Sequence, residues 1–237
     1  MVVVPAYNAE VTLEKVYKKI PKDIVQQILV VDDYSKDSTV KISRELKILT
    51  IAHKKNLGLG GSLKTCFSEA IKSDADLIIV LHADGQYDPL DIPKFIEVHR
   101  KTKADMVLGS RFKESGYKQT PLYKMISIRF ITLLFNLILG INITEANTGY
   151  RAYSRKFLEL TPWKKNGDGY IFDPQCIIQA KYFGLDIEEV PVFKEYKEGA
   201  LSPNFTKSLY HGIENLVLLL AYILQKLKIK KAHFLNF

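Results

Sequence analysis

The chain opens on an alternation of short, β-branched apolar runs with longer stretches whose apolar residues recur at helical spacing. Such an alternation forces parallel strands joined by crossover helices, since a parallel pair cannot be closed by a hairpin. It predicts strands at Val2–Val4, Ile28–Val31, Ile48–Ile51, Leu77–Leu81 and Met106–Leu108, and helices at Glu10–Ile20, Thr39–Leu46, Gly61–Lys72 and Ile92–Lys101. After Arg111 the period changes. One long apolar helix is predicted over Leu122–Leu139, followed by a short strand, a helix over Pro174–Phe183, a strand over Ile187–Val192 and a final helix. No repeat and no Pro/Gly/Ser-rich linker interrupts the pattern, so the expectation is a single α/β domain with a mostly parallel central sheet and C-terminal helices.

Composition narrows the partners. With 47% hydrophobic and 25% charged residues in 237, the chain has ample material for a core, which excludes disorder. The net charge of +8 points to nucleic acid, an anionic membrane surface or a phosphate-bearing substrate. RNA-binding signatures are absent, and the basic residues are spread along the chain with a cluster at Lys226, Lys228, Lys230 and Lys231, so membrane plus anionic substrate is favoured over nucleic acid. Cys66 and Cys176 lie in no metal-ligand spacing and suit a reducing compartment. No basic-then-apolar leader pattern precedes the first strand, so the expected location is cytoplasmic. Met125–Ile141, which contains Arg129 and Asn136, is at the short limit for spanning a bilayer, and Leu216–Leu224 is shorter still. Each reads either as a helix packed on the sheet or as an interfacial helix lying on a membrane.

In open parallel sheets ligands bind beyond the carboxyl ends of the strands, and those ends carry the chemistry here. The first strand runs into Pro5-Ala6-Tyr7-Asn8, where proline should stop the ladder and an aromatic ring could stack on a base; an ordinary strand-to-helix turn has the same composition. The second ends in Asp32-Asp33, two adjacent carboxylates that repel unless something uses them. Asp37 reads as part of the next helix cap, and Asp33 as an acceptor for a base N–H. The fourth ends in His82-Ala83-Asp84-Gly85-Gln86, an oxygen-rich group suited to Mg²⁺ or Mn²⁺ bridging a diphosphate. Asp88 and Pro89 read as the start of a helix, and His82 as either a hydrogen-bonded structural histidine or a ligand.

VVVPAYN, VVDDYSKDST and HADGQYDP, followed by GSRF at Gly109–Phe112, resemble in order and spacing the inverting family 2 glycosyltransferases, and among them the polyprenyl-phosphate sugar synthases of the dolichol-phosphate mannose synthase kind. The resemblance covers roughly residues 1–200 and implies the A-type fold, a Rossmann-like nucleotide-sugar-binding domain. Its nucleotide-binding half would occupy about 1–110 and its acceptor half about 111–200, with 201–237 as a C-terminal helix on the domain or the membrane. By the same resemblance Pro5, Ala6, Tyr7, Asp33, Ala83 and Asp84 would contact the donor, and Asp84 with Gln86 would hold the metal. Two positions depart from the pattern: Ala9 stands where an acidic residue is usual, and His82 replaces the first aspartate of Asp-x-Asp. Ala146–Tyr153 resembles the family's acceptor-side turn, in which Gly149 allows close backbone approach and Arg151 offers a fork for phosphate; a glycine turn and a solvated arginine would read the same way. Gly169–Asp173 resembles the segment that supplies a catalytic carboxylate, although Asp173 could equally cap a helix starting at Pro174.

These expectations define an inverting transfer of one sugar from a nucleotide-sugar. If the acceptor is a sugar hydroxyl, Asp173 acts as general base. If it is a polyprenyl phosphate presented at the cytoplasmic membrane surface, the nucleophile is already anionic, and Arg111 and Arg129 would hold it. A sugar-nucleotide pyrophosphorylase lacks support, because no Gly-rich, arginine-containing loop follows the first strand. A dehydrogenase lacks it too: in Gly58-Leu59-Gly60-Gly61 the third fingerprint glycine is replaced by Leu63. A non-catalytic nucleotide-sugar-binding protein is the remaining alternative.

Overall fold

The computed structural model describes residues 1–114, 120–195 and 205–237, and over 205–209 the backbone alone. The expected boundary between 200 and 201 lies outside the described residues. Seven strands form one sheet: β1 (Val2–Ala6), β2 (Ile28–Asp32), β3 (Leu49–Ala52), β4 (Leu77–Val80), β5 (Met106–Ser110), β6 (Arg151–Ser154) and β7 (Ile187–Pro191). Their order is β3-β2-β1-β4-β6-β5-β7. All neighbours are parallel except β6, which is inserted antiparallel between β4 and β5.

Both faces are covered, as a parallel sheet requires. Along β1 the side chains alternate: Val3 enters one core with Leu63, Phe67, Phe135 and Trp163, while Val2 and Val4 enter the other with Leu13, Phe95 and Tyr150. Phe67 is the centre of the first core, edge-on to Tyr153 at 4.9 Å and to Trp163 at 5.5 Å. The helices are α1 (Leu13–Lys19), α2 (Thr39–Glu45), α3 (Gly58–Lys72), α4 (Ile92–Thr102), α5 (Leu122–Leu139), α6 (Arg155–Leu160), α7 (Phe172–Tyr182) and α8 (Phe205–Lys226).

Several sequence expectations shift, among them α1, which begins at Leu13 rather than Glu10. Pro5 does not end β1: it remains paired in register with Val31, because only the ladder to β4, whose register stops at Val3–Val80, has run out there. Helix α3 begins three residues earlier than expected, at Gly58, despite the low helix propensity of glycine. Helix α7 begins at Phe172.

Helix α5 is the one described helix long and apolar enough to cross a membrane, with mean hydropathy 1.7 over 18 residues and 22% of that stretch buried. It packs beside α8. Leu122, Ile126, Phe130, Leu133 and Leu137 form an exposed stripe on α5, and Ile213, Val217 and Leu220 one on α8.

Candidate active site

The chain leaves β1 for β2 on one side and returns with β4 on the other, so the crevice between β1 and β4 is the switch point of the sheet. A cavity of about 450 Å³ opens there. Pro5, Ala6, Tyr7, Asp33, Ala83 and Asp84, all expected to contact the donor, line it together.

On the donor side the adjacent carboxylates have separate partners. Asp32 Oδ2 accepts from the Ser35 N–H at 3.0 Å, fixing the turn after β2. Asp33 is buried and accepts from the N–H groups of Leu57 and Gly58 and from His53 Nδ1, each at 2.8 Å. His53 is steadied in turn by Thr65 Oγ1, 2.9 Å from its Nε2. Asn8 and Tyr34 both adopt left-handed backbone, and Asn8 ties the two strand ends together: its N–H donates to Ser35 Oγ at 2.8 Å and its Oδ1 accepts from Lys36 N–H at 2.9 Å. Tyr7, 39% exposed, is thereby held at the rim with its ring available for stacking. Asp37 accepts from Thr39 N–H at 3.0 Å and from Thr39 Oγ1 at 2.6 Å, a structural contact made from the position before Ser38, which holds the N-cap of α2.

At the residues expected to hold the metal, Asp84 Oδ1 accepts from the Gln86 N–H at 3.0 Å, and both side chains line the cavity. The loop is braced by the segment after β7: Tyr87 bridges Lys194, and the Glu195 N–H donates to Gln86 O at 2.8 Å. Among the described residues no three His, Cys, Asp or Glu side chains gather closely enough to hold a metal unaided. One carboxylate beside one amide is instead the donor set for a hard divalent ion that keeps most of its positions for phosphate oxygens and water, and the residues present fit that use. His82 also lines the cavity, with its buried Nε2 lacking a partner among the described residues. Burial lowers its pKa, against the opposing pull of Asp84 and Asp173. A Cβ on Gly149 would stand 3.0 Å from this ring, so the close approach that Gly149 permits is taken by His82.

The arginines divide. Arg111 is buried at the cavity wall, where its Nε donates to both oxygens of Glu145 at 2.9 and 3.0 Å and its terminal nitrogen completes the ion pair. Arg129 lies off the cavity: α5 presents Lys124, Ser127, Ile128 and Ile131 to it at helical spacing, and Arg129, one position on from Ile128, is exposed over the Phe112 ring at 5.1 Å. Arg151 is neither a phosphate fork nor a solvated side chain. It is fully buried because β6 is an interior strand, and it donates to the carbonyls of Thr148, Asp173 and Ala146 at 2.6, 2.7 and 3.0 Å.

Asp173 lines the cavity and occupies the first turn of α7; Ile171 holds the N-cap position, so the helix-cap reading does not apply. Its carboxylate sits 3.7 Å from Arg151 Nε. Lys124, Lys194 and Tyr170 were missed by the sequence reading. Lys124 and Lys194 line the cavity with Arg111, and the Lys124 pKa is lowered by burial and then by the charges of Lys194 and Arg111. The signal for Lys124 was available in the helical period of α5, which places it on the face of Ile128 and Ile131.

Residues 1–161 match the model of the family described as glycosyl transferase family 2. The chain is 30% identical over 218 residues to the UDP-N-acetylglucosamine–dolichyl-phosphate N-acetylglucosaminyltransferase of Methanococcus voltae, covering 84% of this chain and 87% of that one. It is 34% identical over 205 residues to the uncharacterized protein MJ1222 of Methanocaldococcus jannaschii, covering 85% and 83%. Glucosyl-3-phosphoglycerate synthase of Mycobacterium tuberculosis, solved with Mn²⁺, UDP-glucose and phosphoglyceric acid, superposes with a TM-score of 0.70 at 18% identity, covering 98% of this chain and 80% of that one. The fold is the A-type glycosyltransferase fold. With the family model spanning most of the sheet, and the motifs it covers converging on one cavity, the chain belongs to glycosyl transferase family 2 and is a nucleotide-sugar-dependent glycosyltransferase.

Proposed function

We propose that this enzyme transfers one sugar, with inversion, from a nucleoside diphosphate sugar to a polyprenyl phosphate at the cytoplasmic face of a membrane. The observation that carries the reading is the convergence of Arg111, Lys124 and Lys194 on one cavity whose wall is α5, the helix with the exposed apolar stripe. Arg111 keeps its Glu145 partner, and with Lys124 and Lys194 on the same wall the cavity carries basic groups suited to an anionic ligand. An acceptor phosphate bound there would have its prenyl chain leaving along an apolar surface. Lys226 at the end of α8 and Lys228, Lys230 and Lys231 beyond it are exposed, and each would add about 1 kcal/mol of attraction to an anionic leaflet. The name of the Methanococcus voltae relative supports a dolichyl-type acceptor and makes UDP-N-acetylglucosamine the first donor to test.

On this reading Tyr7 and Asp33 hold the nucleotide, and Asp84 with Gln86 hold a divalent ion, Mg²⁺ or Mn²⁺. When bound, the ion neutralises charge on the diphosphate leaving group. Arg111, Lys124 and Lys194 orient the acceptor phosphate so that one of its oxygens forms the new bond to the anomeric carbon as the bond to the diphosphate breaks on the opposite side. The nucleophile carries no proton, so no general base is needed. A second reading keeps the same donor site and places a sugar hydroxyl as acceptor with Asp173 as base; it is supported by the carboxylate lining the cavity without capping a helix. Radiolabelled UDP-N-acetylglucosamine offered with short-chain polyprenyl phosphate or with free sugars separates the two. A lipid-soluble product supports the first reading, and products on free sugars alone support the second.

A further inference from the structure

The first turn of α3 receives oxygens from opposite sides of the cavity. From the donor side, the Asp33 carboxylate accepts from Leu57 and Gly58 N–H. From the other side, the carbonyl of Asp168 accepts from Gly60 N–H at 2.6 Å and Gly61 N–H at 3.2 Å. The contact depends on bare backbone. A Cβ on Gly60 would stand 2.2 Å from Gly167 O and 2.9 Å from Asp168 Cα, and one on Gly58, whose φ is +80°, would stand 2.6 Å from Asp168 O. These are main-chain atoms, so no rotamer change relieves the clash; the segment itself would have to move. That segment is also tied to α7. The Gly167 N–H donates to Gln175 Oε1 at 2.7 Å, and the Gln179 side chain donates to Asn166 Oδ1 at 2.8 Å. Between these ties lie Gly169, Tyr170 and Asp173, all on the cavity wall.

We propose that Gly58-Leu59-Gly60-Gly61 is a positioning element for the transfer reaction: Gly60 sets the height of residues 166–173, and with them Tyr170 and Asp173, over the donor. The four N–H groups of Leu57, Gly58, Gly60 and Gly61 are taken by protein oxygens rather than by phosphate, which separates this turn from the dinucleotide-binding loops its sequence imitates. Because Asp33 and Asp168 share one helical turn, occupancy of the nucleotide site is transmitted to the segment that faces the acceptor. The inference rests on the reading of Asp33 as a nucleotide contact.

Two measurements test it. In Gly60→Ala the displaced segment should lower kcat for transfer from UDP-N-acetylglucosamine to short-chain polyprenyl phosphate about 100-fold, the scale of an ångström misplacement. The Kd for UDP with Mn²⁺ should rise far less than kcat falls, by no more than the protection UDP confers on residues 166–173, since the coupling is reciprocal and Leu57 and Gly58 still hold Asp33. Lys64→Ala removes only the side-chain ion pair to Asp168, 2.7 Å long with a largely exposed carboxylate, and should keep kcat within about twofold. Wild-type kcat in Gly60→Ala, or parallel losses of kcat and UDP affinity, overturns the proposal. Amide exchange on the wild-type protein decides the matter even if Gly60→Ala does not fold. Adding UDP and Mn²⁺ should protect residues 57–61 and 166–173 together. Protection of 57–61 alone contradicts this inference, whereas protection of neither 6–8 nor 57–61 contradicts the nucleotide-site reading and the inference with it.

Discussion

Replacing Lys124 by alanine removes one of the three charges that face the proposed acceptor phosphate. A charge-assisted hydrogen bond contributes about 1.5–3 kcal/mol, so the acceptor kcat/KM should fall about 10- to 150-fold. The Kd for UDP should not change, because Asp33 and Tyr7 belong to other strand ends. The pH dependence gives a sharper signature. Burial, Lys194 and Arg111 lower the Lys124 pKa, so its charge is lost at a lower pH than that of an ordinary lysine. Acceptor affinity should therefore decline as pH rises through this lowered value, and Lys124→Arg, which stays charged, should shift that decline to higher pH. Stability moves the other way. A lysine whose folded-state pKa lies below its unfolded value binds its proton less well when folded, and so costs stability at every pH below the lowered pKa. The melting temperature of the wild type should accordingly gain, relative to Lys124→Met, as pH rises through the lowered value, while Lys124→Met transfers poorly at every pH. Steady-state kinetics across pH, with a thermal melt of each variant, supply the assay. Unchanged acceptor kcat/KM in Lys124→Ala, or a melting-temperature difference between wild type and Lys124→Met that does not change with pH, would refute the reasoning.

Other expectations follow from the same geometry. Asp84→Ala should abolish metal-dependent nucleotide binding and transfer, and EDTA should mimic it in the wild type; undiminished UDP affinity in EDTA rejects the metal assignment. Asp33→Asn should weaken nucleoside diphosphate binding by about 1.5–3 kcal/mol and also lower the melting temperature, since it disturbs the contacts to Leu57, Gly58 and His53. Isothermal titration with UDP checks the first part, and an unchanged Kd dismisses Asp33 as a base contact. Glu145→Gln strips the partner from a buried guanidinium and should cost about 3–5 kcal/mol in denaturant unfolding, a loss that an exposed pair could not produce.

Much of the donor half was legible because its signals are local. β-branched runs fixed the strands, and the residues beyond Val4, Val31 and Leu81 had nowhere to go except the carboxyl edge of the sheet. The Leu122–Leu139 helix was read to its ends, its start favoured by Pro121 and its end by Gly140. What escaped was set by distant contacts. Gly58 could not be read as a helix start, because the oxygens that satisfy its first turn come from Asp33 and Asp168. Arg151 looked like a phosphate fork because nothing local reveals that β6 is threaded antiparallel into the sheet interior, where three carbonyls claim the guanidinium. Arg129 was chosen as the only charge in the middle of α5, when the cavity face of that helix runs through Lys124. Lys194 reaches the site through the pairing of its segment with the metal loop, a contact no spacing rule anticipates.

The central claim, that the acceptor is an anionic lipid phosphate needing no general base, is tested most directly by Asp173→Asn. Initial rates of transfer from radiolabelled UDP-N-acetylglucosamine to short-chain polyprenyl phosphate would be compared with those of the wild type. The account predicts that the variant retains a large part of the wild-type rate and makes a lipid-soluble product. A near-complete loss of activity, with wild-type product confined to free sugars, would contradict it.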